Sequence, residues 1–137
     1  MSSADRPVQP AGPEALSPTP GQLALLLDYP ESTPFVMVNL LKFNGPDGAA
    51  RYWGEYVPGV GEPVRAAGGK EVWKGRVEHL LIGAAPPDWD AVWLVGWPSK
   101  QAFLAMMNHP DFAATQDIRA SSLQAMAFLL ASELRPA

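Results

Sequence analysis

Two stretches of this chain are apolar on both sides of an extended strand, and that property limits what it can fold into more than any other. In Phe35-Val36-Met37-Val38-Asn39-Leu40-Leu41-Lys42-Phe43, strand alternation sets Phe35, Met37 and Leu41 on one side and Val36, Val38 and Leu40 on the other. Between Trp89 and Trp97, the residues Trp93, Val95 and Trp97 stand opposite Val92, Leu94 and Gly96. Such strands need cover on both faces. With 137 residues the chain has material for one core, so the cover must come from its own helices on one side and from something else on the other.

The remaining elements follow from spacing and punctuation. Asn44-Gly45-Pro46-Asp47-Gly48 closes the first strand with turn formers. Tyr52, Tyr56 and Val60 are four apart, which predicts a helix over Ala49 to Ala67, with Pro58, Gly59, Gly61 and Pro63 expected to break or kink its second half. Lys70 to Gly83 has strand composition, with Glu71, Trp73, Gly75, Val77, His79 and Leu81 on one face unless a bulge near Gly75 resets the alternation. Pro86-Pro87-Asp88 turns the chain into the Trp89–Trp97 strand, making an antiparallel hairpin. Pro98-Ser99 opens a helix carrying Ala102, Phe103, Met106 and Met107 on one stripe; Pro110 interrupts it, and a second helical stretch runs from Asp111 to about Ser121. Gln124 to Glu133 suits helix or strand. As a strand it completes β-α-β-β-α-β, a ferredoxin-like α+β fold with both helical regions on one face of a four-stranded antiparallel sheet; as a helix it leaves a three-stranded sheet with a poorly covered edge. The strand is the consistent reading.

At the N-terminus, Pro7, Pro10, Pro13 and Pro18 lie among Ser, Ala and Gly, so residues 1–19 are expected to form a proline-rich disordered arm. Residues 20–137 then form a single domain with an extra N-terminal helix, begun by Thr19-Pro20 and halted by Pro30. No apolar run resembles a secretory signal or a membrane span, which points to a cytoplasmic protein. Ten basic and fourteen acidic residues give a net charge of -4, without the basic footprint that nucleic acid or an anionic membrane requires. The absence of cysteine removes thiolate chemistry and sulfur-ligated metals, and two histidines leave little for a metal centre.

Helices on one sheet face leave the other apolar face bare, and a second copy packed sheet to sheet buries it, giving a homodimeric α+β barrel. The alternative is a monomer whose N-terminal helix covers that face. Asn39 to Phe43, Tyr52 and Tyr56, Gly68-Gly69, Trp89-Asp90 through Pro98-Ser99, Phe103, Met106, Pro110 and Arg119 together resemble the family catalogued as domain of unknown function 1330, within the dimeric α+β barrel superfamily. The resemblance covers about Phe35 to Glu133 and implies the fold and the dimer; the family's activity is unassigned. Related barrel families include cofactor-free monooxygenases, muconolactone isomerases and haem-dependent chlorite dismutases, and a shared fold does not choose among them.

Five residues are candidates for binding a small apolar or aromatic metabolite. Asn39 is an amide inside an apolar strand, able either to hold a ligand oxygen or to satisfy backbone at an irregularity. Tyr52 and Tyr56 present phenols on one helical face, as donors or as packed rings. Arg119, beside Asp117, can take a carboxylate in bidentate fashion or join an ion pair of the protein. Trp93, with Trp73 and Trp97 on a shared face, offers an aromatic wall or interface filling. His79 and His109 are nominal bases; His109 is placed to cap the C-terminal end of the helix before it, and neither sits in a haem motif. Gly59 and Gly61 lack the lysine and hydroxyl of a phosphate loop. No cofactor is expected, so any catalysis would be cofactor-independent oxygenation or isomerisation; the alternative is a non-catalytic dimer that binds, senses or scaffolds.

Overall fold

A computed structural model describes residues 16–134; most of the expected proline-rich arm lies outside the described residues. The chain runs through α1 (Pro20–Asp28), β1 (Phe35–Phe43), α2 (Gly45–Arg51), a π-helical turn (Tyr52–Tyr56), α3 (Val57–Ala67), β2 (Lys70–Arg76), β3 (Ala91–Trp97), α4 (Lys100–Met107), α5 (Pro110–Ser122) and β4 (Leu123–Ala131). All strand pairs are antiparallel and the order is β2-β3-β1-β4, the ferredoxin-like arrangement expected from the sequence. The ambiguous C-terminal segment is the strand β4, paired with β1 from Val36↔Ala131 to Phe43↔Leu123. Among the described residues, no helix is long and apolar enough to cross a membrane.

The core lies between one sheet face and the helices. Phe35, Met37 and Leu41 of β1 and Trp93, Val95 and Trp97 of β3 are buried there against Tyr52, Tyr56, Val60, Phe103 and Met106. The opposite face carries Val36, Val38 and Leu40, paired with Gly96, Leu94 and Val92 of β3 and with Ala131, Leu129 and Ala127 of β4. It is as apolar as the alternation requires, and Val72, Trp73 and Leu129 are more than half exposed around it. The extra helix α1 does not cover it. Leu26 and Tyr29 pack on the helical side, where Tyr29 meets Phe35 edge to face at 5.5 Å.

Three local readings are corrected. The helix expected to break or kink across Pro58 to Pro63 does not break there and continues to Ala67, capped by left-handed Gly68. Just before Pro58 the chain opens into the π turn, whose Val57 N–H reaches back to the Tyr52 carbonyl; the wider turn accommodates a ring that would collide with the carbonyl four residues earlier. Pro63 and Val60 are buried, so packing offsets the lost backbone bond. Secondly, β2 ends at Arg76 rather than Gly83, which leaves His79 on an exposed loop with Leu80, Leu81 and Ile82. Thirdly, the β2–β3 register shifts between Glu71 and Trp73, so the bulge falls earlier than Gly75 and turns Trp73 to the open face opposite Leu94.

Asn44 and Arg51 tie α2 to α5, donating to the Ser121 carbonyl at 3.2 and 2.9 Å. The approach is close because Gly48 has no side chain: a Cβ there would lie 2.5 Å from the Ser122 carbonyl oxygen, whereas one on Gly54 would meet open space. Helix propensity alone favours alanine at both positions. We expect Gly48→Ala to lower stability by about 1–3 kcal/mol through overpacking, and Gly54→Ala to leave it unchanged or raise it by up to about 1 kcal/mol, in urea denaturation of the two variants.

Candidate functional site

Between the helical face of the sheet, the helices and the N-terminal segment lies a cavity of about 870 Å³, partly open to solvent and mostly apolar in lining. Asn39, Trp93, Tyr56 and Arg119 all line it. Four of the five candidate residues, drawn from β1, β3, the π turn and α5, therefore converge on one space.

Asn39 is buried, and its Nδ2 donates to the carbonyls of Trp93 at 2.8 Å and Met37 at 3.2 Å. The amide nitrogen, the group that would hold a ligand oxygen, is thus committed to backbone, while Oδ1 receives no donor from the described residues and remains an acceptor at the cavity wall. Trp93 is fixed by its indole N–H, which donates to Glu71 Oε1 at 3.0 Å. Trp97 packs edge to face with Phe103 at 5.3 Å on the same side of the sheet, and only Trp73 is missing from the expected aromatic wall.

The two tyrosines separate in role. Their rings lie 4.9 Å apart, but Tyr52 is sealed beneath the cavity among Phe43, Trp53 and Trp93, and its hydroxyl finds no hydrogen-bond partner among the described residues. It does not line the cavity. Burial pushes the Tyr52 phenol well above its ordinary value, the charge it would acquire beside Tyr56 adds to this, and Arg119 partly opposes it. The Tyr56 phenol is also raised by burial, with Arg119 and Gln116 pulling the other way. Both remain protonated at neutral pH, and Tyr56 is therefore a hydrogen-bond donor at the cavity rather than a base.

Arg119 is the least ordinary group at the site. Asp117, its expected neighbour, is two residues away on α5, faces elsewhere and is exposed. The guanidinium instead donates from Nε to Gln116 Oε1 at 2.9 Å, from Nη1 to the Met126 sulfur at 2.9 Å, and from Nη2 to the Leu16 carbonyl at 2.7 Å. Among the described residues no carboxylate pairs with it. Gln116 was not singled out from the sequence, although its three-residue spacing from Arg119 on one helix was a usable signal. The Met126 and Leu16 contacts had no signal, since they depend on tertiary placement.

The N-terminal segment roofs the cavity. Thr19 caps α1 in a capping box with Gln22, and the buried Lys100 ammonium donates to the Leu27 carbonyl in the last turn of α1, where a cation complements the helix end. The histidines stand elsewhere. His109 caps α5, not the helix before it: its Nδ1 accepts the Asp111 N–H at 3.0 Å, so the ring serves as an acceptor at a helix N-terminus.

No family model matches the chain, and no curated protein does. Among solved structures it is similar to a protein of unknown function from Rhodopseudomonas palustris, with 28% identity and a TM-score of 0.78 over 88% of this chain and 98% of that one. A Dabb family protein with a ferredoxin-like fold from Mesorhizobium loti is 12% identical, with a TM-score of 0.59 over 75% of this chain and 99% of that one. A dimeric protein of unknown function and ferredoxin-like fold from Bacteroides fragilis is 10% identical, with a TM-score of 0.53 over 76% and 100%. The topology and these likenesses define a ferredoxin-like α+β protein.

The isolated Tyr52 hydroxyl has a measurable consequence. With its pKa raised on folding, the native state keeps a proton that the unfolded chain releases near pH 10, so the stability contributed by the neutral phenol is complete below about pH 10 and falls as pH rises beyond it. Tyr52→Phe removes an unsatisfied buried group. It is expected to leave stability at pH 7 unchanged or raised by up to about 1 kcal/mol, and to flatten the alkaline loss, as read by denaturation at a series of pH values.

Proposed function

We propose that this protein is a soluble homodimer that binds a small apolar or aromatic metabolite in the cavity between its sheet and its helices, and that it belongs with the uncharacterised 1330 domain family it resembles. The observation that carries the ligand reading is the convergence of Asn39, Tyr56 and Arg119 on an apolar cavity of about 870 Å³, a volume in the range of small-molecule sites. Polar groups from three separate elements, on walls otherwise apolar, are the usual means of orienting a ligand.

Binding without chemistry is the reading the geometry favours. A cofactor-independent oxygenase or isomerase needs a group that removes a proton, and Tyr56 is held in its protonated form. Neither His79 nor His109 lines the cavity. What Tyr56 and Arg119 supply is stabilisation of an oxyanion, which suits a ligand that arrives already ionised or enolised.

The dimer reading rests on the open face. Four strands at about 4.8 Å spacing and seven residues at about 3.3 Å each give a projected face of roughly 450 Å², the size of the largest apolar patch on a typical monomer, which is often an interaction site. At about 25 cal/mol per Å² removed from water, pairing two such faces is strongly favourable before the costs of association. The Bacteroides fragilis neighbour is described as dimeric.

Light scattering at micromolar concentration should give twice 14.7 kDa, and Val38→Glu, at the centre of the open face, should shift the mass toward the monomer; a wild-type mass near 14.7 kDa overturns the dimer. For the ligand, planar phenols and short keto acids should raise the melting temperature of the wild type. Asn39→Leu, which keeps the branched shape and loses the acceptor along with the amide bonds to the Met37 and Trp93 carbonyls, should weaken the phenols by about five- to tenfold, the worth of one hydrogen bond. Equal effects on both proteins, or none on either, would remove the assignment.

A further inference from the structure

We infer that the ligand of the cavity is an apolar monocarboxylic acid whose carboxylate is taken by Arg119, an assignment that rests on reading the cavity as a binding site.

Arg119 is half-buried at the wall of an apolar space, an environment in which a guanidinium is costly unless a counter-charge accompanies it. The described part of the protein supplies none. Its three partners are a side-chain amide, a thioether and a backbone carbonyl, all neutral, and the thioether is a weak acceptor for a charged donor. The cation is therefore held in place by groups that orient it without neutralising it. Gln116 fixes Nε, which leaves the planar fork of the two Nη groups facing Met126 and the roof segment at Leu16.

A carboxylate matches that fork in geometry and in charge, and replaces weak neutral acceptors by charge-assisted bonds. The other polar groups agree with one such headgroup. Tyr56 is a protonated donor that lines the same cavity as Arg119 and its partner Gln116. Asn39 Oδ1 is an acceptor on β1 that receives no donor from the described residues, and it can receive a ligand hydroxyl or N–H beyond the carboxylate. The remaining wall, including Trp93, Phe103, Met106 and Phe128, demands an apolar body. A dianion or a phosphate is disfavoured by the same count, because one cation and one phenol are the only strong donors that the four converging residues present.

The test compares each acid with its own amide: 2-naphthoate, cinnamate and octanoate against 2-naphthamide, cinnamamide and octanamide, by calorimetry on the full chain. At least one acid is expected to bind the wild type about tenfold or more tightly than its amide, the worth of a hydrogen bond to a charged group. That preference should vanish in Arg119→Met and be partly kept in Arg119→Lys, which retains the charge and loses the fork. If amides bind as well as their acids, Arg119 does not read an anion and the inference falls while the cavity remains a binding site. If neither acids nor amides nor phenols bind, the cavity reading itself falls and takes this inference with it. Should Arg119→Met fail to fold, the comparison of acid with amide on the wild type decides alone.

Discussion

The central strand β1 has no polar face, and most of the architecture answers to that fact. Flanked by β3 and β4, it presents Phe35, Met37 and Leu41 to the helices and Val36, Val38 and Leu40 to the opposite side. Covering the first set calls for helices on that side, which the two helical regions joining β1 to β2 and β3 to β4 provide. The second set stays partly exposed in one chain. A structure whose central element is apolar on both sides is complete on one side only, and self-association is the economical way to finish the other.

How much of this was legible in the sequence depended on the range of the interaction involved. Strand alternation, proline and glycine punctuation and the Ser99 and Thr19 caps are local, and they placed nearly every element; the type of β4 was settled by topology, because its Ala-Met-Ala-Phe-Leu-Leu content suits either periodicity. The errors lie where a local rule met a tertiary remedy. Pro58 and Pro63 should have broken or kinked the helix, and the π turn with the burial of Pro63 kept it running. The bulge between Glu71 and Trp73 reversed one tryptophan because a single extra residue exchanges the faces of a strand.

The candidate site divides in the same way. Asn39 announced itself as the one amide in an apolar strand, and Tyr52 and Tyr56 by their spacing, but the sequence could not show that one phenol would reach the cavity and the other be sealed below it. They stand four positions apart at the two ends of the π turn, and the difference in depth decides their roles. The partners of Arg119 were less legible still. A contact with the Leu16 carbonyl spans 103 residues, and no pattern in the chain relates the two positions.

The polar groups around the cavity share a bias. Arg119 and Tyr56 at its wall and Lys100 beneath its roof are donors, and each cation gives one bond to a main-chain carbonyl of the N-terminal segment, with no carboxylate of the described residues paired to either. A carbonyl can hold such a cation in place but leaves its charge uncompensated, so the roof is attached through bonds that an anion can better. Since Leu16 occupies one arm of the Arg119 fork, an anionic ligand and the roof compete for the same donor. The N-terminal segment thus meets the core at two cations, Arg119 at the Leu16 carbonyl and Lys100 at the Leu27 carbonyl near the end of α1.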